Sequence, residues 1–180
     1  MGDGGALLTR DADRAQFLYQ LANHGQSRKY HHQRIGLNSR LDTLQAALLR
    51  VKLTRLAAHT AARQAVAARY DAALAAVPGL TIPARDARSS HVFHQYTLQI
   101  EDLERRNDLQ HFLHKCGVPT MIYYPLPVHA QPAYIYLGYQ SGQFPVAERL
   151  CQSVLSLPIH PLLTVEQQAY ITEVILSFIE

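Results

Sequence analysis

The chain has 180 residues, 48% of them hydrophobic, and a formal net charge of +3. This is the length of one domain, or of one domain with part of a second, and the composition is sufficient for a packed core. No apolar stretch approaches the roughly 20 residues of a membrane helix. No secretory signal is recognisable, and the basic residues are interspersed with acidic ones without a Lys/Arg run, so neither a membrane nor a nucleic-acid partner is expected.

The first residues predict a turn and a strand. Gly-Asp-Gly-Gly at residues 2–5 is typical of a tight hairpin turn, because glycine tolerates positive φ and Asp-Gly is a common hairpin sequence. Residues 6–9 are then expected to form a short strand. One strand cannot bury itself, so the sequence predicts that the partner strand belongs to a preceding segment.

Two helices are predicted next. Residues 11–24 have Phe17, Leu18 and Leu21 on one helical face, and residues 25–38 are an irregular polar segment. A long helix is expected from about residue 39 to residue 76, with two capping patterns at its start. The first half of that helix carries an apolar stripe, made by Leu41, Leu44, Leu48 and Val51. We expect this stripe to be exposed in the chain and to favour association into an oligomer.

The second half alternates strands and helices. The pattern predicts an edge strand at residues 80–82, a polar loop at 84–90, a strand at 92–100, a helix at 105–115 and a strand beginning at 119. The proline-rich residues 123–134 are predicted to be a stiff, extended loop. A short strand at 154–157 and a final helix, which begins at a capping box of Thr164 and Gln167, complete a small α+β unit.

Neither a metal site nor a phosphate-binding loop is predicted. His91 and His94 lie on a predicted strand, where a three-residue step points to opposite faces. His111 and His114 share a helical face, but no carboxylate or thiolate completes a ligand set beside them. The Gly-Asp-Gly-Gly sequence lacks the Gly-Lys-Thr continuation of a nucleotide-binding loop.

Four segments, in the same order, resemble one family. They are GDGGALLT at 2–9, HGQSRKYHHQRIGLNSRLDTLQAALL at 24–49, IYYPLPVHAQPAY at 122–134 and VLSLPIHPLLTVEQ at 154–167. The chain resembles the C-terminal half of the sugar aminotransferases of the DegT/DnrJ/EryC1/StrS type. Within that family it is similar to the enzymes that aminate UDP-2-acetamido-2-deoxy-3-keto-glucuronate.

The resemblance implies a fold and a domain organisation. The expected fold is α/β, the fold type I of PLP-dependent transferases (aspartate aminotransferase-like), truncated to a remnant of the large domain and a small α+β C-terminal domain. Residues 1–40 are expected to be the remnant of the large PLP-binding domain with an active-site loop. Residues 41–78 are expected to be a long interdomain or interface helix, and residues 79–180 the small domain.

The resemblance also implies a cofactor and its partners. The family uses pyridoxal 5'-phosphate (PLP), glutamate as amino donor and a nucleotide-sugar substrate, and its members are homodimers. The lysine that binds PLP covalently shortly precedes the GDGGA segment in the family, so it is expected upstream of Met1. Lys29, Lys52 and Lys115 do not match that position and are expected to be surface charges. No catalytic residue is therefore expected within the chain, and retention of PLP is implied for the intact enzyme rather than for this chain alone.

Five residues are expected to bind ligands because of the resemblance. Asn38, in Gly-x-Asn-Ser-Arg, is expected to donate from its amide to the cofactor phosphate of the partner subunit, although it is chemically as well suited to cap the long helix. Arg40, His24 and Tyr124 are expected to contact substrate, against the simpler interpretations of a surface arginine, a structural histidine and a packed ring. Tyr123 stands where relatives have histidine, and its phenol can still hydrogen-bond a sugar hydroxyl.

The sequence thus predicts a cytoplasmic C-terminal portion of a PLP-dependent sugar-nucleotide aminotransferase, inactive by itself, that belongs to surface polysaccharide precursor biosynthesis. Cys116 and Cys151 are expected to be reduced, half-buried thiols. An alternative is a non-catalytic dimerisation or interaction module that pairs with a full-length paralogue and provides Asn38 to it. A third interpretation is the decayed product of a truncated reading frame.

Overall fold

The computed structural model describes residues 4–179. These residues belong to two compact units, divided between residues 56 and 57. The predicted turn at residues 2–5 lies largely outside the described residues. Residues 6–9 form no strand, because no other described segment of the first unit pairs with them. The predicted three-part division of the chain remains a prediction.

Helix α1 (Ala12–Ala22) opens the regular structure of the first unit and confirms the first predicted helix. The carboxylate of Asp11 accepts the amide hydrogen of Arg14 at 3.0 Å, which satisfies one of the free donors at the helix N-terminus. Leu18 and Leu21 are half-buried, whereas Phe17 is exposed. The Phe17 ring instead lies 4.6 Å from the guanidinium carbon of Arg34.

A β-hairpin follows, in the segment that was predicted to be irregular. Strands β1 (Gln26–Arg28) and β2 (His31–His32) pair antiparallel, with one irregularity in their register. His24 and Gly25 before β1 and Tyr30 after it adopt positive φ. Polar composition alone did not predict this hairpin, because its turns are made by residues whose backbone conformation is imposed by the surrounding chain.

The predicted long helix is two helices, so the prediction of one continuous helix was wrong. Helices α2 (Thr43–Leu53) and α3 (Leu56–Leu74) are separated by a turn at Thr54 and Arg55. The Thr54 hydroxyl donates to the Val51 carbonyl at 2.8 Å, and the Arg55 amide donates to the Lys52 carbonyl at 3.0 Å. These i−3 contacts replace the regular i−4 ladder and end α2.

Helix α2 buries none of its residues in the described chain. Its apolar stripe is exposed, as predicted, with 80% of Leu44 accessible to solvent. An exposed apolar stripe of this kind is uncommon on a monomeric surface and is typical of an interaction site.

The second unit is built on a three-stranded antiparallel sheet in the order β3 (Leu80–Thr81), β4 (Tyr96–Ile100), β5 (Val154–Leu157). The predicted edge strand and the predicted strand at 154–157 are confirmed. In β4 the alternate residues Tyr96, Leu98 and Ile100 are buried. The strand begins later than predicted, because Phe93 has φ of 46° and interrupts the extended backbone.

Three further helices complete the second unit: α4 (Leu103–Lys115), α5 (Pro145–Ser153) and α6 (Val165–Ile179). The core contains buried residues of α3, β4, α4, β5 and α6. The predicted capping box is confirmed, since Thr164 and Gln167 exchange backbone-to-side-chain hydrogen bonds of 3.1 and 3.2 Å. Helix α5 was not predicted, although Pro145 in its first turn is a known start signal.

Two predictions for the segment before α5 were wrong. The strand predicted from residue 119 is reduced to one isolated bridge between Met121 and Ser156. The proline-rich segment, predicted to be an extended loop, contains two 3-10 helices, Val128–Ala130 and Pro132–Leu137. Proline fixes only its own φ and restricts the residue before it, so a single turn can still form between two prolines.

Candidate functional site

The central feature of the first unit is a return of the chain alongside the end of α1. Asn23 and Asn38 form an isolated antiparallel bridge. The Leu37 amide donates to the Leu21 carbonyl at 2.7 Å, and the His24 amide donates to the Leu37 carbonyl at 2.8 Å. Asn38 is therefore fixed by backbone hydrogen bonds although its side chain is exposed.

Two glycines permit this return. A Cβ on Gly36 would lie 2.6 Å from the carbonyl carbon of His24 and 2.8 Å from the carbonyl oxygen of Leu21, both of them backbone atoms. Gly25 has φ of 70°, and a Cβ there would overlap the backbone carbonyl of Arg34. The two backbones pass so closely that glycine is required at both positions.

Asn38 and Arg40 are brought together by a hydrogen bond. The Arg40 Nε–H donates to Asn38 Oδ1 at 3.1 Å. This contact uses the amide oxygen, so the two N–H donors of the Asn38 amide stay directed away from it. Asn38 does not cap a helix, because α2 begins at Thr43 with Asp42 as its N-cap residue. The capping alternative for Asn38 was therefore wrong.

The His24 backbone is hydrogen-bonded to Leu37, which directly precedes Asn38. The His24 carbonyl oxygen accepts a hydrogen bond from Nδ1–H of His32 at 2.8 Å, across the base of the hairpin. The His24 side chain is exposed and its backbone has φ of 58°. The first unit thus brings together three of the five predicted binding residues: His24, Asn38 and Arg40.

Tyr123 and Tyr124 belong to the second unit. Their rings are 5.6 Å apart in an edge-on arrangement, and 68% of Tyr124 is exposed. They line a groove of about 860 Å³ together with apolar and aromatic side chains that include Leu126, Tyr134 and Phe144. Neither phenol is buried in the core, so the packed-ring alternative is not supported for Tyr124.

A histidine–glutamate pair borders this groove and was not predicted from the sequence. His129 Nε2 lies 3.2 Å from Glu148 Oε1. The Glu148 carboxylate also accepts the Gly142 amide hydrogen at 2.8 and 2.9 Å. These backbone hydrogen bonds, with that of Phe144 and the proximity of His129, hold the pKa of Glu148 below its usual value. Glu148 thus fixes the segment at residues 141–144 onto the start of α5.

Other titratable groups of the second unit have structural roles. Burial raises the pKa of Tyr70 and of Tyr96, whose hydroxyl donates to Asp71 at 2.8 Å. Cys116 and Cys151 are free and half-buried, as predicted, and burial raises the pKa of the Cys151 thiol. A raised thiol pKa reduces the thiolate fraction and with it the reactivity of the residue.

The described residues form neither a metal-binding cluster nor a membrane-spanning helix. Among residues 4–179, no three His, Cys, Asp or Glu side chains come together as a metal site needs. His91 precedes β4 rather than lying on it, and its Nδ1 accepts the Phe93 amide hydrogen at 2.9 Å. No helix in the same range combines the length and apolar character that a membrane crossing requires.

The hairpin after α1 is the second feature that the sequence interpretation missed. Between Asp13 and Asp42 the chain has no acidic residue, although it has five Lys or Arg residues and three histidines there. Acidic residues are therefore absent from this segment, whereas the other twelve basic residues are interspersed with acidic ones as predicted. This local excess of positive charge is present in the sequence, and it becomes visible when the acidic residues are counted segment by segment.

Comparison with known proteins places the chain in a class of aminotransferases. A family profile, that of the DegT/DnrJ/EryC1/StrS aminotransferase family, matches residues 1–176. The chain belongs to that family.

Relatives of known name support this assignment. The chain is 44% identical to the pleiotropic regulatory protein of Geobacillus stearothermophilus, over 98% of this chain and 47% of the relative. It is 43% identical to the UDP-2-acetamido-2-deoxy-3-oxo-D-glucuronate aminotransferase of Pseudomonas aeruginosa, over 90% of this chain and 43% of the relative. The chain thus spans about half the length of the curated relatives it matches.

Solved structures give the fold. The chain superposes on DesV of S. venezuelae with a TM-score of 0.91 and 38% identity, over 96% of this chain and 46% of DesV. A DegT DnrJ EryC1 StrS aminotransferase from Brucella abortus gives a TM-score of 0.85 and 38% identity, over 95% of this chain and 45% of that one. The described residues therefore have the fold type I of PLP-dependent transferases, over about half the length of those chains.

Proposed function

We propose that this chain forms the C-terminal portion of a PLP-dependent sugar-nucleotide aminotransferase, which transfers an amino group from glutamate to a keto sugar. The observation that carries the proposal is the fixed Asn38 and Arg40 pair, in a family whose relatives of known name include sugar aminotransferases. PLP, when bound, carries the amino group between donor and acceptor.

The donor set of this pair fits a phosphate group. Asn38 offers two amide hydrogens, and Arg40 keeps the guanidinium donors that do not contact Asn38. Because the Asn38 oxygen already accepts from Arg40, the groups that the pair leaves for a phosphate are N–H donors, and one side chain of the two is charged. We assign Asn38 and Arg40 to anionic groups of cofactor and substrate, and His24, Tyr123 and Tyr124 to substrate.

The same proposal includes inactivity of these 180 residues by themselves. Amino transfer through PLP requires a lysine amine that binds the cofactor and moves a proton. Lys29 lies in the hairpin turn, with its Nζ 5.1 Å from the centre of the Tyr30 ring. Lys52 and Lys115 are exposed near helix ends. None of the three stands shortly before the GDGGA segment, where the family has its cofactor-binding lysine.

A chimera tests the proposal. The chain replaces the matching C-terminal part of the Pseudomonas aeruginosa aminotransferase, and amino transfer from glutamate to the keto sugar nucleotide is followed by mass spectrometry. We expect measurable transfer by the chimera and none by the chain alone. A chimera that folds and binds PLP but does not aminate any keto sugar nucleotide contradicts the proposal.

The role of Asn38 is tested in that chimera with Asn38→Asp. Aspartate keeps an oxygen that accepts from Arg40, but it removes the amide donors and adds a negative charge. We expect PLP affinity to fall about tenfold or more. Asn107→Asp, an exposed asparagine of α4, is the matched control and is expected to leave PLP affinity unchanged.

The exposed apolar stripe of α2 favours a second function, an interaction module that pairs with a full-length paralogue. Co-expression with such a paralogue and size-exclusion chromatography test it. Leu44→Glu is expected to abolish the complex without reducing folding, because the side chain is already exposed. A complex that survives this substitution contradicts the second function.

A further inference from the structure

Glu148 is the first charged side chain after a long uncharged segment of the second unit. Between Lys115 and Glu148 the chain contains no Asp, Glu, Lys or Arg. Only 20% of the Glu148 side chain is accessible to solvent. A carboxylate that lies mostly out of water is costly unless hydrogen-bond donors surround it. The donors around Glu148 therefore show what this charge holds in place.

Four groups donate to the Glu148 carboxylate. The Gly142 amide donates to both oxygens at 2.8 and 2.9 Å, and the Phe144 amide and the Ser141 hydroxyl donate at 3.3 and 3.4 Å. The fourth donor is Nε2–H of His129, at 3.2 Å. The first three lie four to seven residues from Glu148 along the chain, whereas His129 lies 19 residues away. The His129–Glu148 contact, which we call the clamp, therefore closes the intervening chain into a loop.

The His129 ring packs against the same loop that Glu148 holds. Its centroid lies 4.6 Å from that of Phe144 and 6.4 Å from that of Tyr139, the second in an edge-on arrangement. Tyr139 and Phe144 also contact each other, with their centroids 5.2 Å apart. Only 12% of the His129 side chain is accessible to solvent. Because the ring packs on the loop while its N–H donates to Glu148, one side chain links the first 3-10 helix, the loop and helix α5.

The clamp forms part of the wall of the groove that Tyr123 and Tyr124 line, which we call the tyrosine groove. His129 and Phe144 belong to the lining of this groove of about 860 Å³. Residues 138–144 contain no helix or strand, so no backbone ladder maintains their position. The clamp attaches them to α5 and to the first 3-10 helix instead. The shape of the tyrosine groove therefore depends on the clamp.

We propose that His129 and Glu148 are positioning residues that hold residues 138–144 as a wall of the tyrosine groove. The inference rests on the proposed function, because it takes Tyr123 and Tyr124 to be residues that contact the sugar. Neither His129 nor Glu148 is assigned a contact with a reacting atom. Loss of the clamp is therefore expected to weaken binding of the sugar nucleotide without slowing the chemical step, since the groove loses its wall and keeps its tyrosines.

The Cys151 thiol reports whether the wall is held. Cys151 lines the tyrosine groove, is half-buried and lies one helical turn after Glu148 on α5. In the full chain with Cys116→Ser, which leaves Cys151 as the one thiol, the rate of its reaction with iodoacetamide is followed by intact mass. His129→Phe keeps an aromatic ring but removes the N–H donor, and it is expected to raise this rate about tenfold.

Matched variants make the thiol measurement decisive. His129→Gln, whose amide can donate to Glu148, is expected to fall between His129→Phe and wild type, and His111→Phe at an exposed position of α4 is the control. A rate that His129→Phe leaves unchanged overturns the clamp. Combined with Glu148→Gln, His129→Phe is expected to give less than the product of the two single increases. A full product would show that the two residues act independently, and it also overturns the clamp.

The chimera separates a positioning role from a merely structural one. In the chimera, His129→Phe is expected to raise KM for the sugar nucleotide about tenfold and to leave kcat unchanged, with His129→Gln between it and wild type. Loss of folded protein would lower kcat instead and leave KM unchanged. An active chimera in which His129→Phe does not change KM overturns the positioning role alone. An unsubstituted chimera that folds but does not aminate contradicts the proposed function and the positioning role with it, while the thiol measurement still decides whether the clamp holds the wall.

Discussion

Gly36→Ala is expected to disrupt the segment that positions Asn38. The added Cβ would lie 2.6 Å from the His24 carbonyl carbon and 2.8 Å from the Leu21 carbonyl oxygen, and it would overlap the Gly25 amide nitrogen. All three are backbone atoms, so no side chain can rotate away to relieve the overlap. Gly36 has no positive φ, so the effect is one of contact and not of backbone strain.

The magnitude follows from the contacts. Overpacking in a tightly packed site costs about 1–3 kcal/mol, and overlap with three backbone atoms places this substitution near about 3 kcal/mol. The smaller backbone entropy of alanine in the unfolded chain offsets less than about 1 kcal/mol of this cost. Local opening of the segment is therefore expected to become roughly 100-fold more frequent.

Amide hydrogen exchange measures the effect at the site itself. The Leu37 and His24 amides, which bond to Leu21 and Leu37 at 2.7 and 2.8 Å, are the reporters. Gly5→Ala is the matched control, because a Cβ at Gly5 meets no atom within 4 Å. If Gly36→Ala exchanges at the wild-type rate at both amides, the close passage of the two backbones is not what fixes Asn38.

Three further predictions concern the second unit. Leu98→Ala, at a fully buried position of β4, is expected to lower the free energy of unfolding by about 2–5 kcal/mol. Thr164→Ala is expected to cost about 1 kcal/mol through loss of the hydrogen bond to the Gln167 amide. Glu148→Gln is expected to remove a pH-dependent contribution, since a carboxylate with a lowered pKa stabilises the fold fully above the usual glutamate pKa and loses this effect as pH falls through its folded-state pKa.

Each of these three predictions has a measurement that checks it and a result that would contradict it. Urea unfolding compares Leu98→Ala with Leu162→Ala, whose side chain is 81% exposed, and equal costs would contradict the assignment of the core. Thr164→Ser, which retains the hydroxyl, is expected to recover most of the loss from Thr164→Ala. Thermal unfolding of wild type and Glu148→Gln is compared from neutral pH down to about pH 3, and parallel curves would show that Glu148 does not contribute.

The elements that the sequence predicted well are those made by local interactions. The capping box at Thr164 and Gln167 is a contact between residues three apart, so the sequence contains all of it. In α4, Leu109 and Leu113 are buried and Gly117 follows with positive φ, as the helical period and the stop signal indicated. Family motifs added the fold type, which no single local pattern contains.

Only the tertiary structure decided how the first unit is arranged around Asn38. The sequence allowed Asn38 to cap a helix, and the structure instead pairs it with Asn23 and gives its amide oxygen to Arg40. Gly25 and Gly36 are eleven residues apart, and nothing in the local sequence shows that their backbones meet.

The difference between the features that the sequence predicted and those that only the structure decided has a physical reason. Period, capping and turn chemistry act over three or four residues, so amino-acid order determined where most helices and core strands form. Close backbone passage, the end of α2 at Thr54 and the face shared by Arg28 and His31 depend on segments that meet in space. The sequence supplied the polar and charged side chains of the first unit, and the fold decided which of them lie together.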